Sequence, residues 1–322
     1  MSDPFGLVSY GCYIFLFVRR RPSDKFMFII FAIKPIPCNF LNKTNCLIRK
    51  FAIPLLFFFF ISAAQSQTLR RQITSGYTGL GAYSLNHVDA FSFTSNQASL
   101  AQLKNASAAV YGERRFLLSE LNNYTTAIGL RTKSGNFGIK AGYFGFSDYN
   151  ETQLGLAYGR QLGSKVDVGA QFNYNGIRIG GIYGSASTIS FEVGAILHLS
   201  EKLHTGIHAN NPVGGKFGKD QQEKLASVYS FGVGYDASEK FFISAEIEKE
   251  EDQPVNVNAG MQYRFIPQLM ARIGMSSATS TAWIGLGLTL KSFRIDVTTN
   301  YHPQLGITPG LLLLFNFNEK KN

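Results

Sequence analysis

From Asn105 to the end, the chain runs in segments of about ten residues in which apolar and polar positions alternate, broken by turn residues, with no sustained helical period. In 165–175, Val166, Val168, Ala170, Phe172 and Tyr174 fall on one face and Asp167, Gly169, Gln171, Asn173 and Asn175 on the other. The same split sets Tyr124, Thr126, Ile128 and Leu130 against Asn123, Thr125 and Ala127. It sets Ile189, Phe191, Val193 and Leu197 against Ser190, Glu192 and His198, and Tyr229, Phe231, Val233 and Tyr235 against Ser230 and Asp236. Strand side chains alternate with period two, so each set is a stripe, one suited to lipid and one to water or packed polar groups. About fourteen such segments start near residues 106, 122, 136, 150, 165, 187, 202, 226, 241, 254, 268, 280, 293 and 309. An even number of short alternating segments with aromatics at their ends, as at Tyr143, Phe144, Phe146 and Tyr149, predicts an all-β transmembrane antiparallel barrel surrounded by outer-membrane lipid. Alternate connections, such as 162–165, 200–202 and Lys291-Ser292, are short, which predicts tight turns on one side and longer loops on the other.

Residues 67–104 read as coil with Gly76-Tyr77-Thr78-Gly79-Leu80-Gly81 and a short helix at Asn96 to Leu103, an N-terminal plug ahead of the barrel at 105–322. Small inward positions at Gly155, Ala157, Gly159, Gly285 and Gly287 leave room for such an insert.

The first 66 residues are different in kind. Of 31 basic and 21 acidic residues, 8 and 2 lie there, leaving 23 and 19 and a net charge of +4 for the remainder. All three cysteines, Cys12, Cys38 and Cys46, lie there too. Basic Arg49-Lys50, the apolar run Phe51 to Ile61 and small Ser62-Ala63-Ala64-Gln65-Ser66 follow the order of a signal peptide at 47–66, with cleavage between Ser66 and Gln67. The apolar run is too short for a membrane-spanning helix, which needs ~20 residues. Residues 1–46 fit no part of this scheme and read as an upstream extension created by a misassigned start. A nucleic-acid partner would need Lys and Arg gathered on one face of a folded domain, and after residue 66 only pairs such as Arg70-Arg71 and Arg114-Arg115 are present.

Three groups could carry chemistry. His204 and His208 share one face, and a three-residue turn at 200–202 would set His198 opposite His204. They are metal ligands of the Zn²⁺ or Cu²⁺ type, or merely polar groups in a wet lumen. Glu246, Glu248 and Glu250 form an acidic ladder, with Arg264, Arg272 and Arg294 on neighbouring strands, as a lumenal ion-pair network or a charged ring that selects cations. Tyr111, Phe137, Tyr143, Phe172, Tyr235 and Trp283 form lipid-facing stripes or a hydrophobic ligand path, with Trp283 placed inside or at the rim because Ile284, Leu286 and Leu288 claim the lipid face. No Gly-x-Ser-x-Gly occurs and Gly79-x-Gly81 lacks the strand and helix of a dinucleotide loop, so the reading includes neither enzyme nor cofactor.

Gly79-Leu80-Gly81-Ala82, Asp89-Ala90 and Asn96-Gln97-Ala98-Ser99-Leu100-Ala101, followed by a barrel, resemble the opening of FadL-type outer-membrane barrels, including the PorV/PorQ-like proteins. The closing Tyr301 to Gly310 is similar to PorV-like endings. Gln97 and Ser99 depart from the family's Pro and Gly. The resemblance implies a fourteen-strand barrel whose plug motif uses Gly79, Gly81, Asp89 and Asn96. It also implies one of two roles: a PorV-like partner of a secretion-channel subunit or secreted cargo in type IX secretion, or a FadL-like passage for a small hydrophobic ligand. Fold alone does not choose between them. The long polar loop 210–223 suits protein contact and favours the first.

Mass spectrometry of the precursor and mature forms checks the leader: the mature chain is expected to begin at Gln67, and a precursor peptide covering Ser2 to Lys25 would overturn the reading of 1–46.

Overall fold

The computed structural model describes residues 75–80, 83–181, 184–217 and 223–317. The proposed extension, the signal peptide, its Ser66/Gln67 cut and Gly81 lie outside the described residues.

Fourteen antiparallel strands close into one barrel. They are β1 Ser107–Arg114, β2 Asn122–Leu130, β3 Asn136–Gly145, β4 Tyr149–Leu162, β5 Val166–Ile179, β6 Gly184–His198 and β7 Leu203–Asn210. The second half comprises β8 Val228–Asp236, β9 Phe241–Glu250, β10 Asn256–Ile266, β11 Leu269–Ser276, β12 Thr281–Leu290, β13 Phe293–His302 and β14 Gly306–Asn316. Each strand pairs with its sequence neighbour, and β1 with β14 closes the ring from Ser107 opposite Asn316 to Glu113 opposite Gly310. The observed strand starts lie within three residues of those expected from alternation. Alternation works here because lipid and lumen demand opposite polarity from adjacent residues, so a register slip of one residue would turn every stripe over.

The outward stripe is apolar. Phe172 is 67% exposed and Ile189 71%, with Leu156 and Phe191 flanking Phe172 across the strands, while Asn173 and Asp167 behind them are buried. This is the lipid-facing belt of a membrane barrel. One inward seam is apolar as well: Ala109, Tyr111, Ala127, Ala157, Leu312 and Leu314 line it from β14 round to β4. Tyr111 therefore faces the lumen and not lipid, a correction to the aromatic-stripe reading; Phe137, Phe172 and Tyr235 face outward.

The expected contrast between short turns and long loops also needs correction. Turns on the side of Ser107 and Asn316 are short, but so are most connections on the other side, such as 146–148 and 303–305. One connection, between β7 and β8, is long. It exists because β7 stops at Asn210 and pairs with β6 only from Glu192 onward, so the far half of β6 is paired with β5 on one edge and left open on the other. The connection fills that edge. The Asn211 backbone donates to the Phe191 carbonyl at 2.9 Å, Asn211 Nδ2 donates to the Leu225 carbonyl at 2.6 Å, and a two-residue ladder joins Lys216–Phe217 to Glu223–Lys224. Phe217 and Leu225 pack on Ile177. Capping an open edge in this way is what a bilayer requires, since unpaired backbone groups find no water there.

Replacing outward Phe172 by Arg near the middle of β5 is expected to destabilise the refolded barrel by about 2 to 4 kcal/mol in a urea titration in lipid vesicles. A shift below about 0.5 kcal/mol would place this residue away from lipid.

Candidate functional site

The candidate site is the lumen and the plug that occupies it. Three short 3₁₀ segments, Ser75–Tyr77, Ser92–Thr94 and Gln97–Gln102, carry the plug through the barrel. The short helix expected over 96–103 is the last of these, capped by Asn96, whose side-chain oxygen accepts from the Ala98 backbone at 3.0 Å. Phe91, Phe93, Asn96 and Gln97 are fully buried, which a 3₁₀ run can do only if the wall comes close. Wall glycines make that approach possible. A Cβ at Gly169 would stand 2.4 Å from the Gln97 carbonyl carbon, and one at Gly232 would stand 2.3 Å from the Tyr83 ring. Of the inward positions singled out in the sequence, Gly159 does meet the plug, at Leu100 and Gln97, and Ala157 shares an apolar cluster with Leu100. Gly155, Gly285 and Gly287 instead face wall side chains, Asn173, Thr298 and Asp296, so their role as plug room is corrected.

The plug is amphipathic. Phe91, Phe93, Leu100 and Tyr77 pack on the apolar seam of β14, β1, β2 and β4, and Leu80 and Tyr83 pack with Phe242 and Trp283. Trp283 is thus inside, over Gly274, and not at the rim. The other plug face is polar and meets inward carboxylates. Gln97 Nε2 donates to Glu192 Oε2 at 2.7 Å, Gln102 Nε2 to Asp167 Oδ2 at 2.8 Å, and Tyr83 Oη to Glu246 Oε2 at 2.6 Å. Ser84 Oγ donates to Asp236 Oδ1 at 2.7 Å, and the Ser244 hydroxyl donates to the Gly79 carbonyl.

A second polar lock surrounds Asp89. Tyr77 Oη donates to Asp89 Oδ2 at 2.6 Å, and Arg294 Nη2 donates to both, at 2.8 Å to the carboxylate and 2.6 Å to the hydroxyl. Arg294 Nε also lies 3.1 Å from Asp296 Oδ1, whose other oxygen takes Arg272 Nη1 at 3.1 Å. The Arg272 guanidinium sits 4.9 Å above the Tyr77 ring, and its Nε donates to Gln262, which reaches His87 Nδ1 at 2.6 Å. The expected pairing of Arg264, Arg272 and Arg294 with the Glu246–Glu248–Glu250 ladder is corrected: Arg272 and Arg294 meet Asp296 and Asp89, while Glu246 serves Tyr83 and Asn258. Glu248 and Arg264 are half-buried lumen residues.

Burial raises the Asp89 carboxyl, but Arg294, Arg272 and the Tyr77 hydroxyl outweigh it and hold the group below its ordinary value of 3.8. Burial is also the largest cause that lowers His87, to about 4, with Asp236 opposing and Arg264 and Arg272 assisting. His87 is therefore docked neutral, stacked 5.6 Å from Phe242.

Of the three lumen histidines, His198 and His204 meet and His208 stands apart on its own carboxylate. His198 stands opposite His204 with Nδ1 atoms 2.9 Å apart; His198 Nε2 is 2.8 Å from Asp167, His204 Nε2 is 3.4 Å from Asp236, and His208 Nε2 is 3.0 Å from Glu192. Among the described residues no group of three or more His, Cys, Asp or Glu is arranged to hold a metal ion, and each imidazole faces a wall carboxylate. The carboxylates Asp167, Glu192 and Asp236 were legible as polar-face residues, and a charge kept away from lipid is the signal that could have marked them, and Asp296, as lumen partners.

The closed fourteen-strand antiparallel barrel matches the fold of FadL-type outer-membrane barrels. Solved structures with this architecture include the Ralstonia pickettii toluene transporter TbuX, at 10% identity and TM-score 0.55, covering 79% of this chain and 100% of that one. The P. putida toluene transporter TodX matches at 10% identity and TM-score 0.54, over 75% and 100% of the two chains. A Pseudomonas aeruginosa FadL homologue matches at 10% identity and TM-score 0.53, over 75% and 96%. No protein-family model and no curated protein matches the sequence.

Replacing Arg294 by Leu leaves Asp89 buried without its main cation and is expected to weaken plug docking by about 3 kcal/mol. The readout is faster proteolysis within 75–104 with an intact heat-modifiable barrel; unchanged proteolysis would contradict the lock. A second expectation concerns acid. A lowered His87 loses its docked stability as pH falls from its ordinary 6.5 toward about 4, whereas Asp89 keeps its contribution until the pH falls below 3.8. Proteolysis of the plug is therefore expected to rise between pH 6.5 and 4 in the natural chain and to lose that rise in His87→Gln.

Proposed function

We propose that this protein is a FadL-like passage through the outer membrane for small hydrophobic molecules, with no catalytic step, exported behind a signal peptide at 47–66 that is cut between Ser66 and Gln67. The observation that carries the reading is the apolar seam between plug and wall inside the lumen. Phe91, Phe93 and Leu100 of the plug lie against Tyr111, Leu312 and Leu314 of the wall, with the Tyr111 hydroxyl turned away to the Glu113 carboxylate at 2.7 Å. Rotating the plug about its polar contacts at Asp167 and Glu192 would part this seam and expose a greasy strip while the opposite face stays bonded. Apolar solutes favour such a strip by about 25 cal/mol per Å² of surface taken from water. The fold shared with structures described as toluene transporters supports the same reading.

A second reading is a PorV-like role, binding a secretion-channel subunit or secreted cargo. It is favoured by the β7–β8 connection, which is tied down through Asn211 and Leu225 and exposes Val213.

Uptake of toluene and of a fatty acid by proteoliposomes separates the two. Passage predicts uptake above empty liposomes and a drop of roughly tenfold for Leu312→Glu, a change worth about 1.4 kcal/mol. Absence of uptake together with co-purification of a secretion-channel subunit would favour the second reading.

A further inference from the structure

The end of the barrel opposite the long β7–β8 connection is taken as the periplasmic end, because the long connection suits the extracellular side and both ends of the wall, Ser107 and Asn316, lie away from it. At this end a cavity of about 510 Å³ opens between the plug's exit, the β2–β3 turn and the last residues of β4. Lys104, Lys133, Arg160 and Arg131 line it, and no Asp or Glu stands among its described lining residues. The opposite rim differs: there Arg115 meets Glu113 at 2.9 Å and Lys224 meets Glu251.

The cavity is framed by fixed groups. Arg131 Nη1 donates to the Lys104 carbonyl at 3.1 Å, Asn136 Nδ2 donates to the Leu100 carbonyl at 2.6 Å, and the Thr132 backbone donates to Asn136 Oδ1 at 3.0 Å. Tyr158 Oη donates to the Ser134 carbonyl at 2.6 Å, pinning the turn to the wall. Arg160 occupies the outward column of β4 between exposed Tyr158 and Leu162, and the Tyr158 ring lies 5.2 Å from Phe137. Aromatic rings beside an outward arginine mark the level where hydrocarbon gives way to headgroups, since an arginine is tolerated on the lipid face only there.

We propose that this cavity binds the phosphate of an anionic phospholipid of the periplasmic leaflet. Lys104, Lys133 and Arg160 surround the phosphate, and the acyl chains run along Phe137, Tyr158 and Leu162. Three features argue for a lipid: the cations are gathered in one cavity, that cavity sits at the membrane boundary, and its outer edge is apolar. A headgroup seated there touches the plug's exit at Lys104 and the wall at Arg160 together, so it ties the plug to the leaflet.

The test is native mass spectrometry of the full barrel released from neutral detergent with phosphatidylglycerol or phosphatidylcholine. Phosphatidylglycerol is expected to be retained at least tenfold more, and Lys104→Gln, Lys133→Gln and Arg160→Gln each to lower retention about fivefold. Lys133→Gln lies in an exposed turn and serves where another variant fails to fold. Equal retention of the two lipids, or undiminished phosphatidylglycerol retention in folded Lys133→Gln and Arg160→Gln, would overturn the site. Inorganic phosphate is the second arm: displacement of the lipid by micromolar phosphate would make the ligand a free anion and overturn the lipid assignment, whereas lipid retained in millimolar phosphate supports it.

Discussion

A backbone amide inside a hydrocarbon layer has no water to bond, so each must bond to another strand. That constraint closes β14 onto β1, fixes alternation along every strand, and makes the β7–β8 connection cover the edge that short β7 leaves open. It also creates an interior. Side chains pointing away from lipid fall into a shared space that has to be filled, solvated or occupied by another segment of the chain.

Here another segment occupies it, and the wall is shaped to receive it. Glycines at 169 and 232 admit backbone and ring where any Cβ would collide. Apolar plug residues take the β14–β1–β4 side, and polar ones take the side that carries Asp167, Glu192 and Asp236. The Asp89–Arg294–Asp296–Arg272 chain is a buried ionic arrangement, which adds little net stability over an apolar filling but is costly to break at one member. Such an arrangement specifies one docked position of the plug. An apolar contact is less particular and can be parted and remade, and the proposed passage depends on that difference.

Much of the wall was legible because each of its residues answers to one local rule, lipid on one side and lumen on the other. Val166 through Asn175 declares its two faces without reference to any other segment, and the turns are marked by residues such as Gly163 and Lys291, which adopt positive φ of 67° and 55°. The lumen was less legible because its contacts depend on register and on the path of the plug. That Arg294 would meet Asp89, over a separation of 205 residues, and not the glutamate ladder of β9 follows only from where the plug crosses β13. Tyr111 and Trp283 were ambiguous for a related reason: an aromatic ring suits lipid and a packed lumen equally, and only its position in the alternation separates the two. Gly155 and Gly287 looked like room for the plug, but Asn173 and Asp296 fill the space beside them.

The central claim is that residues 92–103 are docked inside the barrel by the wall glycines and carboxylates. Hydrogen exchange of these amides in lipid nanodiscs tests it most directly. Docking predicts that those buried against the wall, Gln97 through Leu100 above all, exchange orders of magnitude more slowly than an unstructured segment, approaching the strands. Complete exchange of 92–103 within seconds, with β1–β14 still protected, would contradict it.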